Sequence, residues 1–333
     1  MKLRTSCSPH IRASATTRQI MADVLIALVP VCLAGVYAFG LNALAIIIVS
    51  VASSVLFELL YTKLMKQPTT VGDLSAAVTG LILAINLPST VPLWIPVIGS
   101  AFAILLVKML FGGLGHNFMN PALGARVFLA ISFAAIMAAY PTTVRVIKDF
   151  SVVVSEATPL TAVANGQEID WFTMIFEMNS GCIGEASTVA ILIGAAYLII
   201  RRTIAIQIPF VYIASTVLFV VLFAVMRGDA DIINLNFVVA QMCGGGLLLG
   251  AFFMATDYVT NPSTRVGQFV FALLLGLITA LIRQISISIE GVSYAIIIGN
   301  MLSPLIDRVL TPSYFGKNSK PITAEQKGKA EKA

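Results

Sequence analysis

The stretch LNALAIIIVSVASSVLFELLYT, residues 41–62, decides the class of fold to which this chain belongs. Roughly 20 consecutive apolar residues are enough to cross the hydrocarbon core of a bilayer as an α-helix. This stretch reaches that length and contains a single charged residue, Glu58, which lies about one helical turn from its end. It therefore predicts a transmembrane helix.

The whole chain has the composition of a membrane protein. Hydrophobic residues make up 58% of its 333 residues and charged residues 11%, and the mean hydropathy is +0.93. A soluble domain carries about 25% charged residues, so most of this surface must face lipid. We expect no cleavable signal peptide, because residues 1–19 are polar and basic and the first apolar run has no small-residue cleavage site.

Apolar runs of similar length recur along the chain, and they predict an all-α polytopic membrane protein of about ten transmembrane helices. The runs cover residues 20–39, 41–62, 71–91, 93–111, 119–139, 184–200, 203–226, 235–255, 267–285 and 291–310. The third is the least regular, since Asn86, Pro88 and Pro92 interrupt it. The runs divide the chain into an N-terminal segment 1–19, a five-helix half 20–139, a loop 140–183, a second five-helix half 184–310 and a tail 311–333.

The distribution of basic residues predicts the orientation of these helices, because cytoplasmic loops carry an excess of Lys and Arg. With the N-terminus inside, most of the 21 Lys and Arg residues fall on the cytoplasmic side. The exceptions placed outside are Arg145, Lys148, Arg227 and Arg283. Both termini are therefore expected in the cytoplasm and the loop 140–183 outside. The basic pI of about 9.1 reflects orientation and contact with anionic lipid rather than nucleic-acid binding.

An odd number of helices in each half means that any internal repeat must be inverted in the membrane. The third run contains GLILA at 80–84 followed by NLPST at 86–90, and the eighth contains GLLLG at 246–250 followed by NPST at 261–264. Each half thus has an apolar segment that a proline-containing turn interrupts. Leu- and Gly-rich runs also match by chance, so the pattern alone leaves both readings open.

Several kinds of chemistry find little support in the sequence. The two histidines, His10 and His116, are far apart, and His10 lies in the polar N-terminal segment. The four cysteines show no Cys-x-x-Cys spacing, so we expect no zinc, haem or iron–sulfur site within this chain. The sequence has no Gly-rich phosphate-binding loop after a strand, so it gives no support to nucleotide hydrolysis.

The loop GGLGHNFMNPALGARVFL, residues 112–129, is a candidate binding site. Its glycines let the backbone approach a ligand closely, and Asn117 and Asn120 each offer a donor and an acceptor near the membrane. The alternative is a tight turn in which Asn120 caps a helix that begins with Pro121. The two roles are compatible.

Acidic residues within the membrane are costly and are usually functional or paired. Those in or beside the predicted spans are Asp23, Glu58, Asp73, Glu185, Asp257 and Asp307. Most lie near span ends, where capping or ion pairing explains them. Glu58 is deeper, with Lys63 as a possible partner. Glu58 and Asp257 are the candidates for binding a coupling ion, although capping of the adjacent turn is the stronger reading for Asp257.

The loop between the halves contains VVVSEATPL at 152–160, where Thr158 lies between a small residue and a proline. Such residues are common in turns. The alternative is that the Thr158 hydroxyl is an attachment site for a cofactor.

Five motifs together resemble the family formed by the D subunit of the Rnf ion-translocating electron-transport complex and the B subunit of the Na⁺-translocating NADH:quinone reductase. They are SEATPL at 155–160, GGLGHNFMNPA at 112–122, CIGEASTVAILIG at 182–194, FFMATDYVTNPSTRVGQ at 252–268 and EGVSYAIIIGNMLSPLIDR at 290–308. The quinone-reductase subunit typically has a longer N-terminal extension, so the Rnf subunit is favoured.

The resemblance implies two flavins. The family carries FMN bound through its phosphate to a threonine, which corresponds to Thr158 here, with Ser155 and Ala157 at matching positions of the motif. Glu156 replaces the usual glycine and Val152 an aspartate that is often present. A flavin transferase would install the FMN. The resemblance also implies a noncovalent riboflavin, which we place near Asn117 and Asn120.

The resemblance further implies a multi-pass subunit of a bacterial or archaeal cell-membrane complex. Such a ferredoxin:NAD oxidoreductase passes electrons through flavins and moves Na⁺ or H⁺, and the subunit is not expected to be active alone. Its partners would be the A, B, C, E and G subunits of the Rnf complex, especially the FMN-bearing G subunit. The alternatives are a subunit of the Na⁺-translocating quinone reductase, a secondary transporter without redox activity, and a scaffolding subunit.

Overall fold

The computed structural model describes residues 16–140, 160, 170–228, 233–285 and 291–310, and these residues form helices and turns without a strand. The helices are α1 Thr17–Phe39, α2 Leu41–Leu64, α3 Ser75–Ile85, α4 Trp94–Met109, α5 Pro121–Ser132, α6 Trp171–Phe176, α7 Thr188–Ile200, α8 Gln207–Arg227, α9 Leu235–Cys243, α10 Leu247–Met254, α11 Arg265–Ile285 and α12 Gly291–Val309. The all-α prediction is confirmed for this part of the chain.

Each predicted apolar run contains a helix, but the helices differ in length. Within the described residues, α1, α2, α8 and α11 are each long and apolar enough to cross a membrane, and α9 with α10 forms a further candidate bent by 52°. Four others, α3, α4, α5 and α7, are shorter than predicted. For example, α3 ends at Ile85, because Asn86 and the prolines beyond it stop the helix. The count of ten spans therefore remains a prediction.

Small residues let the helices of the two halves approach closely, as is usual in membrane bundles. Helix α1 packs against α7, and a Cβ built on Gly194 would lie only 2.2 Å from the carbonyl oxygen of Ala27. Within the second half, α8 packs against α11, where a Cβ on Gly276 would lie 1.9 Å from Oγ of Ser215. These contacts require glycine at both positions.

Helices α3 and α10 have similar local geometry, although they belong to different halves. Each begins after a residue in the left-handed region, Leu74 at φ 67° and Gly246 at φ 68°, and each is almost wholly buried. Their C-terminal ends meet, since Nδ2 of Asn86 lies 3.7 Å from Sδ of Met254. The likeness agrees with the proposed repeat without establishing its inverted topology.

Candidate cofactor site

A cavity lies where the ends of several helices converge. Its walls come from the start of α1, the start of α3, the end of α4, the loop before α5, the end of α7 and the turn after α10. The walls are mainly apolar, with a few polar groups among them. Pockets for small molecules and cofactors have this mixture of apolar walls and a few polar groups.

Both asparagines of the glycine-rich loop line this cavity. Oδ1 of Asn120 accepts a hydrogen bond from the backbone N–H of Ala122 at 3.1 Å, so the predicted helix cap is present. Asn117 donates through Nδ2 to the carbonyl oxygen of Met119 at 2.9 Å, but its buried Oδ1 has no hydrogen-bond partner among the described residues. A buried acceptor without a partner is costly, and a ligand with an N–H or O–H group would satisfy it.

A buried ion pair forms part of the cavity wall. Nζ of Lys108 donates to Oε2 of Glu58 at 2.7 Å and to Oγ of Ser75 at 2.6 Å, while Thr70 donates to the other carboxylate oxygen. The partner of Glu58 is therefore Lys108, whereas the sequence suggested Lys63. Sequence proximity pointed to the wrong lysine because Lys108 lies on a different helix.

Helix α4 changes from α to π geometry at Phe102, and this stretch carries Lys108. The π stretch runs Phe102–Met109, and a second one, Gly250–Met254, forms most of α10 on another wall of the cavity. Wide turns of this kind occur frequently at functional sites. No sequence pattern identified them.

Asp257 also lines the cavity, at the turn that follows α10. Its carboxylate accepts from the backbone N–H of Val259 at 3.4 Å and from the hydroxyl of Thr260 at 3.5 Å, which is the capping arrangement expected from the sequence. Burial raises the pKa of the Asp257 carboxyl, and these two hydrogen bonds lower it. The ion-binding role of Asp257 stays a prediction.

The other acids near helix ends have structural partners, as predicted. Asp23 pairs with Arg201 at 3.3 Å, Asp73 accepts from the backbone N–H of Ser75 at 2.8 Å, and Asp307 accepts from the backbone N–H of Ser263 at 3.0 Å.

Buried arginines hold the broken ends of helices in the centre of the bundle. Nε of Arg126 donates to the carbonyl oxygen of Asn86 at 3.0 Å, just beyond the end of α3. Arg283 donates to the carbonyl oxygens of Gln241 at 2.6 Å and Gly244 at 3.0 Å, at the end of α9. Cations are favourable at helix C-termini. No sequence pattern indicated these two roles.

Glu185 occupies the opposite side of the break between α9 and α10. A Cβ built on Gly246 would lie 2.8 Å from Oε1 of Glu185, so the carboxylate lies at the start of α10, where negative charge is favoured. Arg126 and Arg283 both act on Glu185 electrostatically. Negatively and positively charged side chains thus both lie at the break between α9 and α10.

The predicted flavin-attachment residues Thr158, Ser155 and Ala157 lie outside the described residues. The structure does describe Leu160, the last residue of the motif, and it lies against the break between α9 and α10. Its Cβ would be 3.4 Å from a Cβ on Gly244, and its Cδ2 3.2 Å from one on Gly245. The attachment motif therefore ends beside the break between α9 and α10.

The cavity suits an uncharged or weakly charged heteroaromatic ligand. The Lys108 charge is already matched by Glu58, and the walls are otherwise apolar apart from Asp257 and hydrogen-bonding groups. Within the described ranges, no group of three or more His, Cys, Asp or Glu side chains could hold a metal ion.

These features define a polytopic α-helical membrane protein with a mainly apolar cavity between its two helical halves. The chain matches the NQR2, RnfD, RnfE family over residues 4–316. It therefore belongs to that family, as the five motifs predicted.

Individual relatives match the chain over nearly all of its length. It is 44% identical over 322 residues to the D subunit of the Na⁺-translocating ferredoxin:NAD⁺ oxidoreductase complex of Acetobacterium woodii, covering 95% of this chain and 96% of the relative. It is 37% identical over 330 residues to the D subunit of the proton-translocating complex of Clostridium ljungdahlii, covering 93% and 95%. The D subunit of the ion-translocating oxidoreductase complex of Methanosarcina acetivorans is 31% identical over 309 residues, covering 92% and 95%.

Proposed function

We propose that this chain is the flavin-bearing membrane subunit of an ion-translocating ferredoxin:NAD⁺ oxidoreductase complex. The observation that carries the proposal is the match to D subunits of such complexes along nearly the full length of both chains. The apolar helices agree with a membrane subunit. Other subunits of the complex, including an FMN-bearing G subunit, are its partners, and the chain alone does not complete the reaction.

Thr158 carries FMN as a phosphoester in this proposal. The motif SEATPL supplies the hydroxyl, with Ser155 and Ala157 beside it, and a flavin transferase forms the bond. The position of Leu160 against Gly244 and Gly245 supports a role for the motif close to the bundle rather than at a distant loop tip. A covalent bond prevents the cofactor from dissociating, while the flavin ring supplies the redox chemistry.

The cavity binds a second, noncovalent flavin, for which riboflavin is the best candidate. Asn117, through its Oδ1, and Asn120, whose Nδ2 lies 3.5 Å from the carbonyl oxygen of Met254, would hold the ring by hydrogen bonds. The neutral Lys108–Glu58 pair favours a ligand without a phosphate. The protein's contribution is to orient the ring and exclude water from it.

The distribution of basic residues supports ten spans with both termini in the cytoplasm. In that topology the cavity opens toward the cytoplasm and the Thr158 loop lies outside. The two flavins then lie near opposite faces of the membrane, with the broken helices α3 and α9–α10 between them. Transporters place ions at broken helices of this kind.

Asp257 is the stronger of the two candidates for a coupling ion. Both carboxylate oxygens of Glu58 already have partners, so a cation there would compete with Lys108. The relatives are named for Na⁺ in one case and for protons in another. Their names therefore leave the identity of the ion open.

Mass spectrometry of the purified chain tests the covalent part of the proposal. A proteolytic peptide that contains Thr158 should carry the added mass of FMN. Acid extraction of the intact chain should release the noncovalent flavin separately. A chain with neither flavin would instead fit a secondary transporter or a scaffold.

A further inference from the structure

The short helix α6, with the sequence WFTMIF, has an aromatic face that the described part of the chain leaves uncovered. Trp171, Phe172 and Phe176 are 40%, 51% and 59% exposed, whereas Met174 on the opposite face is 1% exposed. The three rings form a continuous patch, with centroids 5.9 Å apart for Trp171 and Phe172 and 4.7 Å apart for Phe172 and Phe176. One face of α6 is thus packed on the bundle, and the aromatic face points away from it.

Two hydrogen bonds hold α6 across the starts of neighbouring membrane helices. The backbone N–H of Trp171 donates to Oδ1 of Asn236, in the first turn of α9, at 3.2 Å. The hydroxyl of Thr188, the first residue of α7, donates to the carbonyl oxygen of Met174 at 3.1 Å. The patch therefore lies at the level where these apolar helices begin.

Other exposed rings lie at the same end of the bundle. Trp94 is exposed at the first residue of α4 and Tyr37 is exposed near the end of α1. Backbone and side-chain contacts place these ends together, since Ile183 donates to the carbonyl oxygen of Leu87 at 3.0 Å and Asn42 donates to that of Ser89 at 3.0 Å. Trp and Tyr are enriched at the level of the lipid headgroups.

We propose that Trp171, Phe172 and Phe176 insert into the lipid headgroup boundary, so that α6 anchors the chain between α5 and α7 to the membrane surface. The location of the patch at the same end of the bundle as Trp94 and Tyr37 favours lipid over a protein partner. The flanking Asp170 and Glu177 stay in water at the two ends of the helix.

Fluorescence of single-tryptophan variants tests this directly, because the chain has only two tryptophans. The full chain is placed in phosphatidylcholine vesicles as Trp94→Phe, which leaves Trp171, and as Trp171→Phe, which leaves Trp94 as the depth reference. Lipid brominated high on the acyl chain should quench Trp171 about as well as Trp94, and more strongly than lipid brominated near the terminal methyl. Strong quenching of Trp171 by aqueous iodide without quenching by brominated lipid would overturn the proposal.

A second variant separates lipid contact from simple proximity to the bilayer. Phe172→Ser with Phe176→Ser, in the Trp94→Phe background, should shift Trp171 emission to longer wavelength and reduce its quenching by brominated lipid at least twofold. Phe118→Ser, at an exposed phenylalanine in the loop before α5, is the control and should leave both signals unchanged. Unchanged quenching in the double variant would contradict insertion of the aromatic face, and would leave the face to a protein partner.

Discussion

The ammonium group of Lys108 on α4 lies 2.7 Å from the carboxylate of Glu58 on α2, and both side chains are shielded from solvent. Two opposite charges inside a membrane bundle are tolerable only because each neutralises the other. Ser75 and Thr70 satisfy further hydrogen bonds of the pair. The pair therefore ties α2, α3 and α4 together beside the cavity.

Glu58→Gln should destabilise the full chain strongly, because it leaves the Lys108 charge buried without its counter-ion. Removing one partner of a buried ion pair typically lowers the free energy of unfolding by about 3–5 kcal/mol. The double variant Glu58→Gln with Lys108→Met should recover most of that loss. The stabilities of the parent, the single variant and the double variant are compared by their unfolding temperatures in detergent.

Lys63→Met is the matched control for this pair, since Lys63 is exposed and lies on the same helix as Glu58. It should leave the unfolding temperature unchanged. A Glu58→Gln protein as stable as the parent would show that the pair does not hold the three helices together.

Gly194→Ala should destabilise the contact between α1 and α7. The added Cβ would meet the carbonyl oxygen of Ala27 at 2.2 Å, so the two helices must separate. Overpacking of this kind costs about 1–3 kcal/mol. Gly72→Ala is the control, because no atom of the described residues lies within 4 Å of a Cβ at that position. Equal unfolding temperatures for the two variants would contradict the close approach of the halves.

Asn117→Leu should lower the affinity for the noncovalent flavin. It removes the unpartnered Oδ1 acceptor and leaves a ring N–H without a partner, which costs about 1–3 kcal/mol and weakens binding roughly 10–100-fold. Flavin released by acid from equal amounts of protein measures the effect.

Two substitutions of Asn120 are required to separate its two roles, since it both caps α5 and lines the cavity. Asn120→Leu should lose the flavin, whereas Asn120→Ser retains a capping oxygen and should keep the helix while losing only the amide. Full flavin content in both leucine variants would leave the asparagines as structural residues alone.

Asp257→Asn should leave the fold intact, because asparagine caps nearly as well as aspartate. If the carboxylate binds the coupling cation, the purified complex should keep its maximal turnover and require about tenfold more Na⁺, which corresponds to about 1.4 kcal/mol of lost binding. Asp307→Asn is the control, because Asp307 accepts a hydrogen bond from the backbone N–H of Ser263 at a different turn. An unchanged Na⁺ dependence of turnover in the Asp257 variant would rule out a Na⁺ site there.

The sequence predicted the positions of the helices well, because apolar runs and turn residues are local properties. The Asn120 cap was also predictable from the Asn-Pro dipeptide, and the structure contains it. The Lys108–Glu58 pair and the roles of Arg126 and Arg283 were not, since each joins residues on different helices. The left-handed conformation of Leu74 at the start of α3 was not predictable for another reason, since leucine rarely adopts that conformation.

Flavin fluorescence of the denatured chain on a gel tests the central claim most directly, because only a covalently bound flavin remains with the polypeptide. The parent chain, produced together with a flavin transferase, should fluoresce, and Thr158→Ala should not, although it folds as well as the parent. Thr161→Ala is the control, since Thr161 is the next hydroxyl along the loop, and it should fluoresce like the parent. Fluorescence retained in Thr158→Ala, or absent from the parent, would contradict the assignment of Thr158 as the site of covalent FMN.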